Sequence, residues 1–61
     1  MNLYKIETKS KDYFFEAENM IVTSVYNKEL EKFIGENIMT VINICAMKGY
    51  SFEKTEGIPQ K

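Results

Sequence analysis

The sequence predicts an α+β fold: an antiparallel three- or four-stranded β-meander with one C-terminal helix packed on one face. Three observations carry this. Apolar and polar residues alternate along residues 3–26, the period of a half-buried strand. Residues 37–48 instead place apolar side chains at helical spacing between a cap at each end. A length of 61 residues leaves room for one small domain. We assign that domain to residues 1–52. Residues 53–61 read as a frayed C-terminal tail, because they show no periodicity and hold the only proline, Pro59.

The first strand covers residues 3–9, with Tyr4, Ile6 and Thr8 on one face and Leu3, Lys5 and Glu7 on the other. The second covers residues 12–18, alternating Tyr13, Phe15 and Ala17 against Phe14, Glu16 and Glu18. With Ser10-Lys11 as a tight turn, Lys9 faces Asp12, Lys5 faces Glu16 and Ile6 faces Phe15. Opposite charges and apolar partners then fall into register together. Ser-Lys is not a preferred type I′ pair, so a longer loop is the alternative. Residues 20–26 form the third strand after a turn at Glu18-Asn19, where asparagine tolerates positive φ. The core face then carries Tyr4, Ile6, Tyr13, Phe15, Ala17, Met20, Val22 and Tyr26.

Residues 27–35 support two readings. Lys-Glu-Leu-Glu-Lys has high helix propensity behind a possible N-cap, Asn27. Equally, residues 30–34 read as a fourth strand beside the third, and Gly35, which weakens a continuous helix by about 1 kcal/mol, tips the choice to the strand. The helix comes next. Asn37 is its N-cap, Glu36 and Lys48 complement its dipole, and Gly49 takes the C′ position. Ile38, Val41, Ile42 and Cys45 share its inward side. Residues 50–52 suit a short extended piece.

Composition narrows the function. Cys45 is the only cysteine, which rules out a disulfide within the chain, and the absence of histidine leaves no zinc ligand set. No cofactor or metal is expected. Eight lysines against nine acidic residues, with no arginine, argue against tight nucleic-acid binding. No stretch is apolar for long enough to span a membrane, and no export segment opens the chain. A cytoplasmic setting is expected.

Catalytic equipment is sparse. Glu16 and Glu18 lie on one strand face, the arrangement of a paired general acid and base, but a solvated face with Glu16 paired to Lys5 explains them more simply. Cys45 has no histidine partner and sits on the inward stripe, so it reads as core filling. No catalytic residue is assigned, and the chain is expected not to be an enzyme.

The informative feature is surplus apolar surface. The second sheet face shows Leu3, Phe14, Ile21, Val25 and Phe33. The helix has no charged residue between Asn37 and Met47, and Ile44 and Met47 point away from its inward stripe. A surface helix normally turns a charged face to water. We therefore take Phe14, Ile21, Val25, Phe33, Ile44 and Met47 as a candidate interface, covered by another chain. The competing explanation folds Tyr50 and Phe52 back over the helix.

The segment from Lys32 through Gly35, Glu36 and Asn37 to Ile42 resembles the strand–glycine–acidic–cap–helix step of HicB-like antitoxins. It is also similar to the corresponding step of small phage inhibitors of uracil-DNA glycosylase. Gly35, Glu36, Asn37, Ile38, Val41 and Ile42 match in character. Met39 and Thr40 replace the usual acidic residues after the cap, and no DNA-binding domain is seen downstream. The resemblance implies a ββ(β)βα layout and an inhibitory or antitoxin-like protein, and it assigns no site residue.

The function expected is therefore a small homo-oligomer that binds itself and a protein partner and blocks another macromolecule. One alternative is an oligomer sequestering a nucleotide or other small metabolite at its interfaces through Lys5, Lys32, Tyr13 and Tyr26. A further one is weak single-strand binding through Phe14 and Phe33.

Overall fold

A computed structural model describes residues 2–57 of the chain. Along them run β1 (Asn2–Glu7), β2 (Asp12–Glu18), β3 (Ile21–Val25), a 3₁₀ helix (Lys28–Phe33), α1 (Ile38–Lys48) and β4 (Ser51–Thr55). The strands form one antiparallel sheet in the order β3-β2-β1-β4, with α1 on one face. The α+β class holds, but the fourth strand is not residues 30–34. It is residues 51–55, added to β1 on the far edge, so α1 is not C-terminal. Residues 53–55, expected to fray, pair with Leu3, Tyr4 and Lys5. Of the rest of the expected tail, residues 56–57 carry no strand or helix and residues 58–61 lie outside the described residues.

The β1–β2 hairpin closes through a longer loop, residues 8–11, and the side chain of Thr8 is the reason. Its hydroxyl donates to the Lys11 carbonyl at 2.8 Å and accepts from the Ser10 and Lys11 amides at 3.3 and 3.2 Å. The register slides accordingly: Tyr4 lies opposite Phe15, Lys5 opposite Phe14 and Ile6 opposite Tyr13. A slide by an even number of residues leaves every side chain on its expected face.

The second hairpin turns at Asn19 and Met20, with φ of 54° and 70°. Two successive positive φ values are the type I′ pattern that matches strand twist. Asparagine tolerates this; methionine does so at a steric cost. Met20 therefore sits in the turn and is exposed, not on the core face. Pairing then runs Glu18–Ile21 and Ala17–Val22, skips Thr23, and resumes at Glu16–Ser24 and Phe15–Val25. Thr23 is the extra residue of a β-bulge, which reverses the facing of the residues after it. Val25 turns inward against the core and Tyr26 turns out to solvent, the reverse of the expectation.

In residues 27–35 helix propensity prevails. Leu30 is the one buried side chain of the 3₁₀ helix. A strand there would need the open edge of β3, and that edge is already taken. Val22 donates to the Glu36 carbonyl at 2.9 Å, Gly35 donates to the Val22 carbonyl at 2.8 Å, and Ile21 bridges Asn37. Gly35 reaches this position at φ 91°, which only glycine adopts without strain.

Both caps of α1 form as read. Asn37 Oδ1 accepts from the Met39 amide at 2.8 Å, and Gly49 at φ 78° turns the chain so that its own amide and that of Tyr50 satisfy the last carbonyls. Ile38, Val41 and Cys45 then pack on Ile6, Phe15, Ala17, Val22 and Leu30. Phe52 completes this layer, its ring 5.5 Å from Tyr4 and 5.8 Å from Phe15. The C-terminal segment thus folds back onto the sheet, and the outer face of α1 is left as it was.

The radius of gyration, 10.6 Å, matches the about 10.5 Å expected for this length. The accessible surface, 4391 Å², is close to the about 4,100 Å² of a folded monomer of this mass. Both are values of a compact chain of this length. What a partner can still explain is the chemistry of the surface, not its extent.

Candidate functional site

Where the 3₁₀ helix passes over the sheet beside α1, the packing stops short of filling the gap. A half-open cleft of about 190 Å³ remains. Its floor is apolar, built from Ile6, Leu30, Val41 and Cys45, with Phe33 and Ile44 on its walls. Tyr13 and Tyr50 stand at its mouth with Glu29, Lys32 and Lys48.

The charges at that mouth are not equivalent. Glu29 is held by Lys11, Nζ to Oε2 at 3.3 Å. Its carboxyl lies below the ordinary carboxylate range, through a hydrogen bond from its own amide first and from Lys11 second. Lys11 also lies over the Tyr13 ring, 5.2 Å from its centroid. Among the described residues neither Lys32 nor Lys48 has a carboxylate within salt-bridge distance; Lys32 only overlies the Phe33 ring at 5.3 Å. The mouth therefore offers two cations with no carboxylate partner among the described residues, above an apolar floor.

Cys45 is 4% exposed, and burial pushes its thiol above the ordinary value. A neutral thiol is a poor nucleophile at pH 7. We expect Cys45 to react with a disulfide reagent at least about a hundredfold more slowly in the folded chain than in denaturant, since the open form is rare. Equal rates, measured by absorbance, would show that the floor is open to solvent.

The opposite sheet face is acidic. Lys5 stands among Glu7, Asp12 and Glu53 at 4.0, 3.8 and 3.9 Å, and Glu16 and Glu18 extend the face along β2. The pairs are loose and partly solvated, so each contributes little. Glu16 does not pair with Lys5; it accepts a hydrogen bond from the Tyr26 hydroxyl, which holds that phenol above its ordinary value.

The six candidate interface residues separate. Phe14 is buried at 9% exposure, its amide donating to Asn27 Oδ1 and its carbonyl accepting from the Tyr26 amide. Val25 and Phe33 pack against the core, and Ile44 is half-buried in the cleft wall. Only Ile21, at 38%, and Met47, at 85%, stand out in solvent. With Phe14 and Phe33 both packed, no pair of rings is left on the second sheet face to stack bases. Of the residues weighed for a metabolite site, Tyr13 and Lys32 meet at the cleft, while Lys5 and Tyr26 lie on the other side of the sheet.

Residues missed by the sequence reading are also exposed: Met20, Ile34, Met39 and Tyr50. Met39 was recoverable. It is four residues before Asn43 and eight before Met47, so all three share one face of α1, with Ala46 between. All four are exposed and none is charged. Comparison with protein-family models, with characterised proteins and with solved structures finds no match to this chain.

Proposed function

We propose that this chain is a small, non-enzymatic interaction protein that self-associates and binds and inhibits another macromolecule, in the manner of antitoxins or phage counter-defence inhibitors. One observation carries the reading. The outer face of α1 presents Met39, Asn43, Ala46 and Met47 to water without a single charge. Methionine at such a surface is adaptable and favours contact with another apolar surface. The inhibitory part of the reading comes from the resemblance of residues 32–42, of which the glycine, acidic residue, cap and helix start are present while a 3₁₀ helix stands where the resembled step has a strand.

The occupant of that face is a second copy. Two antiparallel copies of α1 related by a two-fold axis set Met39 of each against Met47 of the other, a self-complementary arrangement. The helix is only about 16 Å long, so the contact is small and the affinity micromolar at best. Sedimentation velocity across a wide concentration series tests it. A concentration-dependent dimer is expected, weakened at least about tenfold in the Met39→Lys/Met47→Lys double variant, because each methionine buries about 1.5–3 kcal/mol of apolar surface. A strict monomer at every concentration overturns the reading.

A second reading, capture of a small metabolite, is favoured by the meeting of Tyr13 and Lys32 at the cleft. Against it stands size: about 190 Å³ is below the about 300–1,000 Å³ of pockets that enclose whole ligands.

A further inference from the structure

We propose that the cleft beneath the 3₁₀ helix is an anchor pocket for one large apolar side chain of a partner polypeptide that carries carboxylates on both sides of that residue. The proposal rests on the reading of the chain as a protein-binding module, and it names the recognition chemistry of a surface distinct from the outer face of α1.

Three features of the cleft select this occupant. Its volume, about 190 Å³, is of the size that takes a single ring; an apolar cavity of about 150 Å³ accepts one benzene. Its floor of Ile6, Leu30, Val41 and Cys45 offers no polar group to orient a metabolite. Its mouth is positively biased, because Glu29 is already bound by Lys11 while neither Lys32, which overlies the Phe33 ring, nor Lys48 has a carboxylate partner among the described residues. An apolar anchor in a desolvated pocket, with charge pairs at the rim, is the usual anatomy of a protein hot spot. The tyrosines at the mouth, Tyr13 and Tyr50, suit the rim of such a site, being apolar in body and polar at the tip.

The test is an amide-shift titration of the full chain with a synthetic peptide holding one phenylalanine between two pairs of glutamates. Saturable shifts centred on Leu30, Phe33, Ile44, Cys45 and Tyr50 are expected. They should weaken about fivefold in Lys32→Glu/Lys48→Glu and fall with added salt, as rim charges do. The spectra of the variant confirm that it is folded. No shifts, or equal shifts with glycine in place of the phenylalanine, overturn the proposal. So does phenylacetate binding as tightly as the peptide, which would make the cleft a small-molecule site. Running the titration also on Met39→Lys/Met47→Lys separates the two claims. Peptide binding that persists there supports the anchor whatever the fate of self-association. Its loss in the native chain with self-association intact removes the anchor alone.

Discussion

Phe15→Ala is expected to abolish cooperative unfolding at 25 °C. Phe15 is 1% exposed and stacks on Tyr4 at 5.4 Å, with Phe52 against both rings at 5.5 and 5.8 Å and α1 above. It therefore joins three strands to the helix. Truncating a buried phenylalanine costs about 3–5 kcal/mol, while a chain of this length holds about 3–9 kcal/mol in total. Urea titration monitored by circular dichroism should show a midpoint near zero denaturant. A loss under about 1 kcal/mol would mean that the aromatic layer is not the centre of the core.

Leu30→Ala is the next largest effect. Leu30 is the only residue of the 3₁₀ helix that is buried, at 6% exposure, and with the partly buried Phe33 it fastens this segment to the core. Its removal costs about 2–5 kcal/mol, the spread depending on how far the segment collapses. The loss should be local as well as global. Amide exchange at residues 28–34 is expected to accelerate more than exchange in β1 and β2, because a short segment that has lost its one fully buried side chain opens before the sheet does. Uniform acceleration throughout would show that the segment is fully coupled to the core. The anchor proposed for the cleft depends on this side chain too, since Leu30 forms part of its floor.

Faces were legible in the sequence and registers were not, for a physical reason. Alternation fixes which residues of a strand point the same way, and Tyr4, Ile6, Tyr13, Phe15 and Ala17 all do so. Register is decided by loop chemistry that periodicity does not contain. In the first hairpin it is the Thr8 hydroxyl gripping Lys11; in the second it is a turn that places Met20, an unusual residue for positive φ, beside Asn19. The bulge at Thr23 has no signal in the alternation at all, yet it decides that Val25 goes in and Tyr26 out. The helix was legible because Asn37, Gly49 and the inward stripe all agree. β4 was not, because an edge strand with Glu53 and Lys54 in its middle looks like solvated tail. Such charges are how exposed edges avoid pairing with other chains.

The candidate site was legible in the same uneven way. The uncharged stretch of α1 pointed to Met47, which is the most exposed of the large apolar residues described. Phe14 looked equally exposed in the sequence, and only the bonds from Asn27 and Tyr26 to its backbone show how the chain closes beside it. The cleft could not be read at all, since its floor draws on Ile6, Leu30 and Cys45, which only the tertiary fold brings together.

The proposed function rests on another copy covering the outer face of α1. Methyl relaxation by a soluble paramagnetic probe reports that cover residue by residue. With rising protein concentration, the methyl groups of Met39 and Met47 should become protected together while that of Thr23, exposed on the β3 bulge, stays accessible. Equal accessibility of all three at every concentration would contradict the account.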